Sequence, residues 1–223
     1  LMAVVPRDDT LVRLHNTHPD FPSRQYTLAT IIPPATAGAW ENYSQAAAQE
    51  LQRLAGITFD RGADLVVDGN IPSGAGLSSS AALVVANALA LLHVNAVQID
   101  TSSLAEHLAV AEQYVGTLSG GMDQAACLLS HAGSALRIDF FPLRTRVVPL
   151  PDDMAIVVCH SLVRAEKSGA ARHAYNQRVM ECRLACHLLA HTLNLPPSDA
   201  PHRLGDFRTH LPDLSLSLIH ISE

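Results

Sequence analysis

The residues of greatest chemical interest lie in a glycine- and serine-rich segment, PSGAGLSSSAAL, at positions 72–83. Gly74 and Gly76 free backbone N–H groups, and a helix expected to begin near Ser78 adds unpaired donors and a positive dipole end. Such a loop suits a di- or triphosphate, and the hydroxyls of serines 78–80 offer hydrogen bonds or a Mg²⁺ ligand. No Lys-Ser or Lys-Thr pair follows the glycines and the spacing is not Gly-x-Gly-x-x-Gly, which excludes a Walker A loop and disfavours a Rossmann site. The alternative is a serine-capped helix after a tight turn.

A second group of polar residues stands in AEQYVGTLSGGMDQ, positions 111–124. Asp123 follows a pair of glycines at the expected start of a helix, where backbone donors stabilise its charge and a ligand can approach closely. Glu112 lies on the preceding helix. Phosphoryl transfer needs one acidic residue to position or deprotonate a hydroxyl and another to hold Mg²⁺. The alternative is that Asp123 only caps its helix and Glu112 lies on a solvated face.

Hydrophobic spacing predicts the elements that position these residues. Alternating patterns predict two or three extended segments within 11–32 and a strand at 63–69. Apolar residues three and four apart predict a helix from about residue 39 to 55. The run that follows the serines is apolar on every side, which predicts a buried helix.

The second half of the chain has its own pattern. A capping box, Ser103-x-x-Glu106, predicts a helix at 103–115, and GTLSGGMDQ is expected to open a further short helix. Strands are predicted at 134–140 and 154–160, and a long helix from Lys167 to Asn194. The prolines between residues 149 and 151 indicate a domain boundary.

Composition excludes several classes of protein. The 223 residues are 48% hydrophobic and 16% charged, which rules out intrinsic disorder. The net charge is −6 and the basic residues are scattered, so no nucleic-acid partner is expected. The apolar run at 81–94 is shorter than the ~20 residues that a membrane span needs. Four cysteines and no signal-like segment favour reduced thiols and a cytoplasmic location.

These stretches together resemble one family. PSGAGLSSSAAL resembles the nucleotide-binding motif of the GHMP kinase superfamily, and GTLSGGMDQAACLL resembles the segment that carries the catalytic Asp in its galactokinase branch. WENY at 40–43 and YNQRVMECRLACHLLA at 175–190 resemble further galactokinase stretches. The last stretch, with GTLSGGMDQ, is most similar to the subgroup that includes N-acetylgalactosamine kinase. The resemblance covers about residues 1–195.

The resemblance implies an α+β fold, an α/β sandwich. Residues 1–150 would form a GHMP kinase N-terminal ATP-binding domain with a ribosomal S5 domain 2-like core, lacking its first segment. Residues 151–213 would begin a ferredoxin-like C-terminal domain, and residues 214–223 would be a non-native tail. The family's N-terminal signature, with an Arg for the transferring phosphoryl group, and its C-terminal glycine-rich motif do not occur in this sequence. We therefore expect a fragment truncated at both ends and a poor catalyst.

The resemblance also assigns roles to individual positions. The expected nucleotide contacts are Trp40 and Tyr43 near the adenine, and Pro72, Gly74, Gly76, Leu77, Ser78, Ser79 and Ser80 around the triphosphate. The expected Mg²⁺ ligands are Ser80 and Glu112, the catalytic base is Asp123, and the sugar contacts are Gly120, Asp123 and Tyr175.

The function implied is that of an ATP- and Mg²⁺-dependent sugar 1-kinase that phosphorylates the anomeric hydroxyl of galactose. N-acetylgalactosamine is an alternative acceptor, and a non-catalytic regulator that senses sugar and ATP is an alternative of another class. GGMDQ and WENY argue against mevalonate or homoserine as the acceptor. The uninterrupted serines and Asp123 favour catalysis over sensing. The sequence leaves the oligomeric state open.

Overall fold

The structure, a computed structural model, describes residues 1–54, 56–159 and 170–211. The chain divides into two compact units, Leu1–Ser168 and Gly169–Glu223. The domain boundary after residue 150, predicted from the prolines at 149–151, stays a prediction. The predicted non-native tail, 214–223, lies outside the described residues.

The first unit contains strands and helices in a mixed order. In chain order its elements are β1 (Met2–Pro6), β2 (Leu11–Asn16), β3 (Arg24–Thr27), α1 (Glu41–Leu54), β4 (Ala63–Val67), α2 (Ser79–Val94), α3 (Thr101–Ala109), a 3-10 helix (Ala111–Val115), α4 (Met122–Leu129), β5 (Ser134–Asp139) and β6 (Arg144–Pro149). The predicted α+β class, the strands within 11–32 and at 63–69, and the helices of α1, α2 and α4 are confirmed. Strand β1 was not predicted.

A four-stranded sheet in the order β1-β4-β2-β3 forms one layer. β4 pairs parallel with β2 and antiparallel with β1, and β3 adds an antiparallel edge. On β2, Val12 and Leu14 are fully buried while Arg13 between them is exposed, as expected for a sheet with one face on the core. The parallel partner of Leu14 is Leu65, which is also fully buried.

Helices α1 and α2 pack against each other and against strands of this sheet. Leu51 of α1 and Val84 and Leu91 of α2 have no exposed surface. The predicted burial of α2 holds for most of its residues, but Leu89 is 48% exposed. The core therefore fixes α2 firmly, and with it the loop that leads into its first turn.

The segment before α1 has no regular structure and is held by the helix's own amide side chains. The bonds are Ala35 N to Asn42 Oδ1 (2.8 Å), Asn42 Nδ2 to the Thr36 carbonyl (2.9 Å), Ile32 N to Gln49 Oε1 (2.7 Å), Gln49 Nε2 to the Thr30 carbonyl (3.1 Å) and Gln52 Nε2 to the Ala29 carbonyl (3.0 Å). Gln45 also accepts from Ala35 N at 3.3 Å. These bonds satisfy backbone groups that no strand or helix pairs.

The predicted capping box at Ser103 is wrong. Helix α3 begins at Thr101, two residues earlier, because the carboxylate of Asp100 caps it and accepts from Ser103 N at 3.0 Å. Glu106 accepts instead from Leu143 N at 3.2 Å. The predicted single helix at 103–115 is also divided, since α3 ends at Ala109 and a 3-10 helix follows.

Strands β5 and β6 form an antiparallel hairpin, which confirms the strand predicted at 134–140. The strand predicted at 154–160 is wrong over residues 154–159, which have no regular structure, and residue 160 lies outside the described part. A strand is stable only when its backbone groups pair with a neighbour, and no described residue pairs with this segment as a strand. Its side chains Met154, Ile156 and Val157 are more than two-thirds exposed.

The second unit is built on one long helix, α5 (Ala170–Thr192), followed by a second 3-10 helix (Leu204–Thr209). The helix predicted from Lys167 to Asn194 is thus confirmed, with residues 167–169 outside the described part. Cys186 and Ala190 of α5 and Phe207 of the 3-10 helix form a small buried cluster. Among the described residues, no helix is both long and apolar enough to span a membrane.

Candidate functional site

The loop that precedes α2 has an unusual backbone. Gly74 and Gly76 have φ values of 73° and 74°, and Ser78 has φ 55° and ψ 36°. Three residues at alternate positions are therefore left-handed. Left-handed residues interspersed in a loop turn successive N–H groups to one side and create a concave anion-binding backbone. A Cβ built on Gly76 meets nothing within 4 Å, so space lies open beside the loop.

Ser78 carries backbone strain that its own side chain does not relieve. The left-handed conformation costs a residue with a Cβ about 1–2 kcal/mol. Ser78 precedes α2 as its N-cap, yet its side chain makes no capping hydrogen bond, and only its carbonyl accepts from Ala82 N at 3.0 Å. The alternative of an ordinary serine-capped helix is therefore disfavoured. Strain of this kind is typical of ligand-binding backbone.

Ser80 and Glu112 meet at the start of α2. The Ser80 hydroxyl donates to Glu112 Oε1 at 3.1 Å, and the two residues are 8% and 3% exposed. They are 32 residues apart in sequence, and the 3-10 helix after α3 brings Glu112 to this position. Glu112 is not on a solvated face, so that alternative is wrong. The pair presents a hydroxyl and a carboxylate directly behind the glycine loop.

Two aromatic residues, Trp40 and Tyr43, stand at the beginning of α1. Trp40 is 7% exposed, donates its indole N–H to the Pro22 carbonyl at 3.0 Å and packs edge-to-face on Phe21. Tyr43 is half-buried, and its hydroxyl has a raised pKa because of burial and, second, the charge of Glu112. Tyr43 is therefore near Glu112, and its predicted contact with adenine stays a prediction.

The paired glycines before α4 have different surroundings. A Cβ on Gly121 would lie 2.6 Å from the Cβ of Ala109, so this glycine allows α4 to pack closely on α3. A Cβ on Gly120 meets nothing within 4 Å. Asp123 lies in the first turn of α4 and is partly exposed. Burial of the Cys127 thiol and, second, the charge of Asp123 raise the pKa of that thiol one turn later. α4 also packs against α2, which links Asp123 to the helix that carries Ser80.

The remaining predicted site residues are spread over both units. Pro72 and Leu77 are exposed on the glycine loop, and Ser79 is the first residue of α2. Tyr175 lies on α5 in the second unit and is 48% exposed. The residues predicted to hold the nucleotide, the metal and the base all lie in the first unit, and the predicted role of Tyr175 stays a prediction.

Gln124, next to Asp123, was not singled out in the sequence. It is 1% exposed, and neither atom of its side-chain amide has a hydrogen-bond partner among the described residues. The available signal was its spacing, because Gln124 stands four residues before Leu128, which packs against the core. A polar side chain on the apolar face of a short helix is the sequence pattern of a buried amide that needs a hydrogen-bond partner.

Residues 42–131 match the model of the GHMP kinases N terminal domain. Galactokinase from Schizosaccharomyces pombe is 34% identical over 230 residues, which cover 93% of this chain and 44% of the relative. The chain belongs to the galactokinase branch of the GHMP kinases. Galactokinase from Dictyostelium discoideum is 40% identical over 156 residues, covering 68% of this chain and 30% of the relative.

Solved structures agree with this GHMP kinase assignment at the level of the fold. The crystal structure of Lactococcus lactis galactokinase complexed with galactose superposes with a TM-score of 0.73 and 24% identity, and covers 98% of this chain and 54% of that chain. Methanococcus jannaschii mevalonate kinase superposes with a TM-score of 0.50 and 17% identity, covering 57% of this chain and 40% of that chain. The chain therefore spans about half the length of the galactokinase structure. The stretch matched by the family model includes the glycine loop, Ser80, Glu112 and Asp123.

Proposed function

We propose that this chain is the ATP-binding part of a sugar 1-kinase that transfers the γ-phosphoryl group of ATP to the anomeric hydroxyl of galactose. The observation that carries the proposal is the buried hydrogen bond between Ser80 and Glu112, directly after a loop with three left-handed residues. The relatives named galactokinase support the choice of reaction.

The glycine loop is the proposed triphosphate site. Its strained backbone directs N–H groups toward one concave side, where the dipole of α2 adds positive potential. The open space beside Gly76 gives phosphate oxygens access to these donors. Pro72, Leu77 and Ser79 flank this backbone, and Trp40 and Tyr43 are proposed to lie beside the adenine.

Ser80 and Glu112 fit the chemistry of a magnesium ion. Mg²⁺ prefers hard oxygen ligands and is usually held by one or two protein groups together with substrate phosphates. A hydroxyl and a carboxylate 3.1 Å apart supply such a pair. No cluster of three or more His, Cys, Asp or Glu side chains able to hold a metal occurs in the described part of the chain. The ion would neutralise charge on the phosphates, and Glu112 and Ser80 would hold it there.

Asp123 is the proposed catalytic base. Its carboxylate would accept the proton of the anomeric hydroxyl while that oxygen attacks the γ-phosphorus and ADP departs. Gly120, whose Cα has open space around it, would allow the sugar close to Asp123. Tyr175 is proposed as a further sugar contact. The free thiols of Cys127, Cys159, Cys182 and Cys186 are consistent with a reducing compartment, and we propose the cytoplasm.

An assay of ADP release tests the proposal. The chain is incubated with MgATP and galactose, N-acetylgalactosamine or no sugar, with Asp123→Asn as the matched control. Release of ADP that depends on galactose and is lost in the variant supports a galactose kinase. Preference for N-acetylgalactosamine would change the substrate and keep the reaction. Binding of MgATP and sugar by calorimetry without turnover would fit both the sensing regulator and the poor catalyst expected from the sequence, and absence of both binding and turnover would refute the proposal.

A further inference from the structure

Three buried polar atoms without a partner lie together in the chain near the proposed base. Among the described residues, the side-chain atoms that are buried and lack a hydrogen-bond partner are Glu41 Oε2, Ser119 Oγ, and Oε1 and Nε2 of Gln124. Ser119 and Gln124 flank the glycine pair that leads into α4. Three of these four atoms therefore belong to residues 119–124, which form the glycine turn and the first turn of α4.

Gln124 is buried so completely that its amide needs hydrogen-bond partners. Its side chain is only 1% exposed, and its neighbour Ala125 is equally enclosed. Buried amides in proteins almost always have hydrogen-bond partners, either protein groups or ordered water. An unsatisfied amide destabilises the folded state, whereas an apolar side chain of the same size does not. The Gln124 amide would have partners if a small molecule made hydrogen bonds to its oxygen and nitrogen.

The donors and acceptors identify this molecule. Gln124 Oε1 only accepts, its Nε2 only donates, and the Ser119 hydroxyl does both. Phosphate oxygens only accept and a metal cation only binds oxygen, so neither satisfies both ends of the amide. Water donates and accepts, and a buried water typically makes about three hydrogen bonds to otherwise unsatisfied groups. Three such atoms are present here.

We propose that Ser119 and Gln124 bind an internal water molecule and that the two are positioning residues for the turn that carries Gly120 and Asp123. The glycine pair offers no side chain that could fix this turn. Gly121 packs closely on Ala109 and its carbonyl accepts from Ala125 N at 2.9 Å, whereas Gly120 is open to solvent. A bridge from Ser119 to Gln124 through water would connect the start of the glycine turn to the first turn of α4. The positioning role rests on the proposed function, because Gly120 and Asp123 are its proposed sugar contacts.

The test compares Gln124→Met with a matched control, Gln113→Met, in which the same change is made at an exposed glutamine of the 3-10 helix. A high-resolution crystal structure of the unmodified chain should show ordered water within hydrogen-bond distance of Ser119 Oγ and the Gln124 amide. Gln124→Met should lower the midpoint of thermal unfolding by about 2–4 °C, and Gln113→Met should leave it unchanged. Gln124→Met should also weaken galactose binding at least tenfold while MgADP binding is retained. Ser119→Ala, a smaller change, should reproduce both effects if Gln124→Met does not fold.

Three other outcomes would contradict the water site, the positioning role or both. No ordered water at these atoms, together with an unchanged or higher unfolding midpoint in Gln124→Met, would overturn the water site. Equal weakening of galactose and MgADP binding would overturn the positioning role, because a general loss of structure affects both ligands. If the unmodified chain binds neither ligand, the proposed function and the positioning role fail together, while the electron density and the unfolding midpoint still decide the water site.

Discussion

Replacing Gly76 by alanine tests whether the glycine loop binds phosphate. The same substitution at a second glycine with the same backbone conformation is the control for the cost of backbone strain alone. Gly76 and Gly133 have φ values of +74° and +73°, and a Cβ on either meets nothing within 4 Å. Gly76 lies in the phosphate loop, whereas Gly133 lies at the start of the β5–β6 hairpin. Alanine in the left-handed region costs about 1–2 kcal/mol. For a chain of this size, that lowers the unfolding midpoint by roughly 2–8 °C in both variants.

Nucleotide affinity should distinguish the two variants. The open space at Gly76 is where we place phosphate oxygens, so a methyl group there displaces them from the backbone donors. Loss of one hydrogen bond to a charged group costs about 1.5–3 kcal/mol. This corresponds to a roughly 10- to 150-fold higher dissociation constant for MgADP. Gly133→Ala should bind MgADP as the unmodified chain does.

Calorimetric titration with MgADP, preceded by thermal unfolding of each variant, measures both effects. Equal MgADP affinity in all three proteins would show that no phosphate occupies the space beside Gly76. Equal weakening in Gly76→Ala and Gly133→Ala would show that affinity follows overall stability and not the loop. Either result would refute the assignment of this loop to the triphosphate.

Further predictions concern single charged groups. Asp123→Asn should lower kcat with galactose by about 10²–10⁴-fold and keep MgADP affinity; unchanged turnover would exclude Asp123 as the base. Glu112→Gln should lower the raised pKa of Tyr43 toward its ordinary value in a spectrophotometric titration, because the negative charge of Glu112 is the second cause of the shift after burial. An unchanged pKa would show that Glu112 does not act on Tyr43. Arg7 lowers the pKa of Asp9 to about 2, so its stabilisation is present above pH ~4 and is lost as the pH falls toward 2. Asp9→Asn should lower the unfolding midpoint more at pH 7 than at pH 2, and an equal decrease at both pH values would contradict this.

The sequence predicted those elements whose cause is local. Glycines and serines before an apolar run predicted the loop and α2, and apolar spacing predicted α1 and α5. The cap of α3 was wrong because Asp100 and Ser103 are both good N-cap residues and stand three positions apart. Packing of the helix decides between two such candidates, and spacing alone does not contain that information.

Features that depend on distant partners could not be predicted. Strand β1 exists because it pairs with β4, about sixty residues away, while residues 154–159 have a strand-like pattern and no strand partner in the described part of the chain. The contact between Ser80 and Glu112 could be predicted only from the family resemblance. It depends on the left-handed backbone before α2 and on the 3-10 helix that carries Glu112, and apolar spacing predicts neither. The roles given to the site residues remain predictions.

The amide side chains of α1 make the irregular segment before it dependent on the helix. Asn42, Gln45, Gln49 and Gln52 lie on one side only when the backbone is helical, so loss of helical turns would release the backbone of residues 29–36 as well. We therefore expect loop and helix to form one cooperative unit for hydrogen exchange, in which the amides of Ile32 and Ala35 exchange when α1 opens. A segment without regular secondary structure should thereby exchange as slowly as the helix that holds it.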